Sequence, residues 1–253
     1  MAEWFAALKA GFEQWFAPIK AEFELNFIQA DRWEYLVDGL KNTLLLTLVA
    51  LIVGVIIGVV VAAVRSTYDK TAETARPTFG RRVFGFFNGL CKVYLTIVRG
   101  TPVVVQVMIF FYVIFASAKD GTMVAALAFG INSGAYVAEI IRGGIMSIDN
   151  GQFEAGRSLG FNYLQTMRYI IVPQTIKNVL PSLMNEFIAL LKETSVAGYV
   201  AVQDLTKAGD IIRSRTYSAF MPLIAVALIY LIVVMFFTWL VGKLERRLRA
   251  SDH

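Results

Sequence analysis

The sequence predicts an all-α integral membrane protein with five transmembrane helices, an amphipathic N-terminal helix ahead of them and a pair of short helices in an inner loop. Three observations carry that reading. The composition is 57 % hydrophobic and only 17 % charged, against about 25 % charged in soluble domains. Three runs of membrane-spanning length, residues 42–64, 100–118 and 216–242, contain no charged residue. The Lys and Arg residues gather beside the apolar runs and mostly on one side of them, as they do where basic residues set membrane topology.

Residues 1–40 form a segment of their own. Phe5, Leu8, Phe12, Trp15, Phe16, Ile19, Phe23 and Phe27 recur at helical spacing, with Glu13, Lys20, Glu22 and Glu24 between them, which predicts an amphipathic helix, open to a bend at Pro18. It lacks the basic start, compact apolar core and small-residue cleavage site of a signal peptide, so it is expected to be retained. Its aromatic face suits the outer membrane interface; packing on the other spans or on a second subunit is the alternative.

The transmembrane domain is expected over residues 41–249. Span 42–64 is uncharged and long enough for a hydrocarbon layer of about 30 Å. Span 100–118 follows, opened by Thr101 as N-cap and Pro102 as first helical residue. Asp120 and Gly121 turn the chain into span 122–141, which is interrupted only by Glu139. Span 178–202 carries Glu186, Lys192 and Glu193, and span 216–242 closes the set. With the N-terminus outside, inner segments hold fifteen Lys and Arg residues and outer ones eight. The C-terminus and the loop 150–174 are therefore expected in the cytoplasm.

A net charge of +5 would suggest nucleic acid in a soluble protein. Here the cations flank apolar spans, so nucleic acid is not expected and the lipid bilayer is. One cysteine, Cys91, excludes an internal disulfide, and with the single His253 it leaves no metal-binding set.

The inner loop is the most specific stretch. In QFEAGRSLGFNYLQTMRYIIVP, residues 152–173, the piece 154–159 predicts a short helix with Glu154 in its first turn, where a carboxylate suits the positive end of the dipole. Gly160 permits a turn that a side chain would obstruct. Asn162 and Gln165 read as a capping pair opening a second helix, residues 163–171, which Pro173 ends or bends. This stretch resembles the cytoplasmic coupling loop of the permease subunits of bacterial ABC importers, whose pattern is Glu-Ala-Ala, three residues, Gly, nine residues, Ile, one residue, Leu-Pro. Glu154, Ala155, Gly160, Ile170 and Pro173 fall in register, while Gly156 replaces the second Ala and Val172 the Leu.

Three further segments resemble the polar amino-acid branch of that family, the histidine, glutamine and arginine type. They are YLTIVRGTPVVVQVMIFFY at 94–112, NSGAYVAEIIRGG at 132–144 and LPSLMNEFIALLKETSVA at 180–197. The resemblance implies a type I ABC importer permease in the bacterial inner membrane, not itself an enzyme. It implies that Glu154, Ala155, Gly156, Gly160 and Pro173 dock an ABC ATPase dimer. It also implies a second permease copy or homologue and an extracytoplasmic amino-acid-binding protein.

Charges inside spans are costly and mark pathways. Glu186 and Glu193 are seven residues apart, on one helical face with Lys192 beside it. That set could answer the ammonium and carboxylate of a polar amino acid, with a lean toward neutral or cationic ones, and Asn132, Ser133 and Gln106 could add neutral hydrogen bonds. The plainer reading is that Lys192 and Glu193 neutralise neighbours or sit at a subunit seam. Glu139 is expected to pair with Arg142, three residues on.

No G-x-x-x-x-G-K-[ST] loop occurs, so no cofactor is expected in this chain, and ATP and Mg are assigned to the partner ATPase. Two other classes compete. An ion-coupled secondary carrier would use Glu186, Lys192 and Glu193 as a relay and need no docking loop. A non-transporting membrane scaffold would have the loop without polar residues aligned through the spans.

Overall fold

The computed structural model describes Trp4, residues 16–71 and residues 78–250, with side chains through residue 248. Every regular element among these residues is helical. Phe5, Leu8, Phe12, Glu13 and Trp15 of the expected amphipathic helix lie outside the described residues.

Residues 16–23 are helical and run into a π turn, Glu24–Ile28; together they are α1. The helix passes through Pro18, and the kink comes later, where Ala30 and Asp31 take φ of 55° and 50°. Phe16, Ile19 and Phe23 are exposed while Phe27 is buried. α2 (Trp33–Lys70) then starts ahead of the domain boundary expected at residue 41, which falls inside it.

α3 (Phe79–Gly100) was expected only as an inner segment. Its N-cap is Thr78, whose hydroxyl accepts from the Arg81 amide. Four cations, Arg81, Arg82, Lys92 and Arg99, hide it from a search for charge-free runs, although its apolar residues line one side. At its end the chain bends by 109° into α4 (Val103–Ile109) and a π turn, Phe110–Ile114. The expected span 100–118 is thus this shorter, broken piece. Pro102 is the N-cap itself and Thr101 ends α3 in an extended conformation, φ −124° and ψ 146°, the geometry that a following proline imposes.

α5 (Gly121–Met146) is opened by Asp120, whose carboxylate accepts from the amides of Thr122 and Met123 at 2.9 and 3.3 Å. It runs past the expected end at Ile141. α6 (Asn150–Ser158) and α7 (Tyr163–Thr166, continued by a π turn Met167–Ile171) lead directly into α8 (Val172–Glu193). The helix expected over 178–202 therefore begins earlier and ends at Glu193, followed by a 3₁₀ segment, Thr194–Val200. α9 (Leu205–Thr216) fills the stretch between the expected spans 178–202 and 216–242, and α10 (Phe220–Ala250) completes the chain.

Among the described residues α2, α5 and α10 are each long and apolar enough to cross a membrane, and α3 with α4 meets the same standard as a bent pair. α8 is long enough but amphipathic. Its buried Val179, Ile188, Leu190 and Leu191 face the bundle.

Lipid is as apolar as leucine, so such helices associate through close packing and internal hydrogen bonds. Both are present. α2 and α5 run side by side in the same direction, Gly54 against Ser133 and Gly58 against Val137. A Cβ on Gly58 would stand 2.4 Å from Val137 Cγ1, and one on Gly130 would stand 2.6 Å from Val53 Cβ. α5 is buried at Ala125, Phe129, Ala135 and Val137. Across the bundle the buried Thr47 and Thr194 hydroxyls share a hydrogen bond, and the Tyr94 hydroxyl donates to the Ile131 carbonyl at 2.6 Å. α9 packs Leu205, Ala208 and Ile212 against Phe27, Leu36 and Val226.

Candidate functional site

Two assemblies hold the predicted residues. The first is the projecting pair α6–α7. α6 begins earlier than expected because Asp149 caps it, accepting from the Gly151 amide at 2.6 Å. Asp149, not Glu154, thus supplies the negative charge at the helix start, and Glu154 lies mid-helix and exposed. The helix ends where Gly160 takes φ 79°. The Phe161 amide donates to the Gly156 carbonyl at 3.0 Å and the Gly160 amide to the Arg157 carbonyl at 2.9 Å, the paired bonds of a left-handed glycine cap.

Asn162 and Gln165 form a reciprocal capping box at 2.9 Å each way. Gly156, the departure from the Ala pattern, lies against Thr166, where an added Cβ would sit 2.7 Å from the hydroxyl. Pro173 neither ends nor breaks the helix. It occupies the first turn of α8, behind the widened π turn, where its missing N–H costs least.

Phe153 anchors this pair among Ile145, Ile148 and Ile171. From α2, the Lys70 ammonium stands 4.6 Å from the Phe153 ring centroid and donates to Asn150 at 2.8 Å. Glu154, Ala155, Arg157, Ser158, Leu159, Leu164, Arg168 and Tyr169 are among the residues that face outward, a knob with an apolar tip beside charged residues. Leu159 and Leu164 are 70 % and 75 % exposed.

The second assembly lies between the helices. Ser133 is fully buried and donates to Glu186 at 2.9 Å, tying α5 to α8. Its neighbour Asn132 turns to a different partner, donating to Gln106 at 3.0 Å. The Gln106 amide nitrogen in turn donates to the Val98 carbonyl and to the Thr101 carbonyl and hydroxyl, at 2.8, 3.1 and 2.7 Å. Gln106 and Asn132 therefore staple the α3–α4 bend. Glu193 is half-buried beside Lys192, and exposed Lys192 lines a groove of about 300 Å³ with Ser195, Thr206, Val226 and Tyr230. Of the six predicted pathway residues, the structure joins Ser133 to Glu186 and Asn132 to Gln106 and turns Lys192 toward α9 and α10.

Glu139 meets Arg142 at 3.5 Å, as its spacing implied, and also approaches Arg99 at 3.9 Å, while Arg142 reaches Asp69 at 3.5 Å. Nothing local in the sequence marks Asp69 and Lys70 as partners of these groups. Both close the first apolar run, and only the α2–α5 register brings them to the later loop.

A bundle of apolar helices with polar side chains between them and a helical knob at one end is the architecture of a membrane permease. The chain belongs to the family of binding-protein-dependent transport system inner membrane components, whose sequence pattern matches residues 77–250. It is 38 % identical to a putative glutamine transport system permease protein of Rickettsia bellii, over 67 % of this chain and 84 % of that one. It is 34 % identical to the arginine transport system permease protein of Bacillus subtilis, with the same coverage. Among solved structures it superposes on a chain of an amino acid ABC transporter crystallised with histidines, with a TM-score of 0.75 and 37 % identity over 87 % of this chain and 98 % of that one. The fold is that of a type I ABC importer permease.

Proposed function

We propose that this chain is the permease subunit of an ATP-driven importer that carries a polar amino acid across the bacterial inner membrane. It passes the membrane five times, with its N-terminus outside and its C-terminus in the cytoplasm. The observation that carries the reading is the knob: an exposed α6–α7 pair with an apolar tip, gripped from behind by α2 and capped at Gly160. Glu154, Ala155, Gly156, Gly160 and Pro173 shape it for a groove on an ATPase dimer, which binds and hydrolyses ATP with Mg. A second permease copy or homologue completes the pathway, and an extracytoplasmic binding protein delivers the substrate.

Glu186, held by Ser133, is the pathway's acidic group, and Glu193 with Lys192 stands one to two turns further along the same helix. Two carboxylates against one ammonium favour a neutral or cationic amino acid, in line with relatives named for glutamine and arginine. Co-expression with an ATPase subunit followed by reconstitution tests the reading. ATP hydrolysis stimulated by a binding protein and its amino acid, with uptake into the vesicle, is expected. Uptake driven by an ion gradient without any ATPase would instead make the chain a secondary carrier.

A further inference from the structure

A groove of about 470 Å³ opens between α2, α3 and α5, lined by Arg65, Lys92, Thr96, Arg99 and Glu139. Three of these side chains are cations and one is a carboxylate, and that carboxylate is already shared. Glu139 is 3.9 Å from Arg99 but 3.5 Å from Arg142, which lies behind it. One terminal N–H of Arg65 donates to the Asn88 side-chain oxygen at 3.1 Å, and its buried Nε has no hydrogen-bond partner. The Thr96 hydroxyl is spent on the Lys92 carbonyl. The groove therefore carries more positive charge than its own residues neutralise.

Its depth is set by the helices. Arg65 directly follows the charge-free run 42–64. Glu139 lies eighteen residues beyond the start of α5, about 27 Å along a helix, against a hydrocarbon thickness of about 30 Å. Both place the groove at headgroup level, at the same end of the bundle as the knob. On α3, Lys92, Thr96 and Arg99 recur one helical turn apart, and the exposed apolar Val93 and Ile97 flank Thr96 on the same helix. A ligand with an anionic head and an apolar tail fits both surfaces at once, as basic pockets between spans on the cytoplasmic side do.

We infer that this groove binds the phosphate of an anionic phospholipid of the cytoplasmic leaflet, the acyl chains lying against Val93 and Ile97 of α3. The side of the membrane rests on the orientation proposed above, but lipid retention is measured apart from transport, so the two ideas fail separately. The experiment uses the purified complex with its ATPase, reconstituted in phosphatidylcholine alone or in equal parts phosphatidylcholine and phosphatidylglycerol. Lipid carried through delipidation is identified by native mass spectrometry. Wild type is expected to keep phosphatidylglycerol, and Arg65→Gln with Lys92→Gln to lose it, affinity falling about fivefold for each cation removed.

Because Arg65 also holds Asn88, the single exchanges Lys92→Gln and Lys92→Arg guard against misassembly. Loss in the first and retention in the second supports the site. Equal retention in wild type and Lys92→Gln overturns it. Inorganic phosphate displacing phosphatidylglycerol, or binding equally in phosphatidylcholine, overturns the lipid assignment in favour of a free anion.

Discussion

The Ser133 hydroxyl donates to Glu186 at 2.9 Å from the residue on α5 that packs against Gly54 of α2. A single atom therefore sits where three helices meet. A hydrogen bond to a charged group contributes about 1.5–3 kcal/mol, so Ser133→Ala is expected to lower the thermal midpoint of the detergent-solubilised complex. Glu186→Gln can still accept that bond. It is expected to leave the midpoint near wild type and change the ranking of amino acids in an uptake competition assay. An unchanged ranking removes Glu186 from the pathway.

Gln106→Leu removes the two N–H donors that serve three acceptors across the α3–α4 bend and leaves the Asn132 amide without its acceptor. The expected result is a loss of stability of about 1–3 kcal/mol, read as weaker assembly, with the preference among amino acids unaltered in whatever complex forms. Altered preference with wild-type stability would return Gln106 to the substrate path.

At the knob, Gly160→Val places a β-branched residue at φ 79°, a backbone state that costs such residues more than 1 kcal/mol. Glu154→Lys reverses an exposed charge without touching a buried contact. Both are expected to leave the protein in the membrane and abolish uptake, and pull-down of the ATPase subunit measures the lost docking. Normal pull-down with normal uptake would show that the knob has another use.

Asp204 is fully buried and caps α9 through the Lys207 and Thr206 amides at 2.9 and 3.3 Å. Burial pushes its carboxyl above the usual range, against the amide bonds that pull it down. A raised acid binds its proton more tightly in the folded protein than in the unfolded one, so this group's contribution to stability falls as pH rises from the unfolded value through the folded one. Asp204→Asn keeps the cap without the buried charge and is expected to melt at or above wild type at neutral pH. Asp204→Ala loses the cap, about 1 kcal/mol. Thermal melts of the three proteins across the acid range check the order.

Topology is tested with Cys91 replaced. A cysteine at Glu13 is expected to react with an impermeant thiol reagent in intact cells and one at Ser158 is not. Labelling at Ser158 from outside would invert the orientation.

Long charge-poor stretches made α2, α5 and α10 legible in the sequence, and local backbone chemistry made the Gly160 turn and the Asn162–Gln165 cap legible, because each needs only residues a few positions apart. The helices that were missed break the first rule. α3 spreads four cations among its apolar residues, and α9 is short and polar, buried only because Phe27 and Val226 close over it. Side-chain partners followed the same divide. Glu139 and Arg142 are three residues apart and could be paired by counting. Gln106 could not be assigned, since its acceptors are backbone carbonyls that converge only once Thr101 and Pro102 bend the chain.

The α2–α5 seam has a mechanical meaning. Backbones that leave no room for a Cβ at Gly58 or Gly130 cannot slide past one another by a helical step, so the two spans behave as one rod. From Gly54 to Lys70 that rod is about 24 Å long, and Lys70 holds the knob at its end. A tilt of roughly ten degrees imposed on the knob then swings the far end of such an arm by about 4 Å. Displacement on that scale exceeds the 2.9 Å between Ser133 and Glu186, so that bond holds only where α8, which the knob also leads into, moves with the rod.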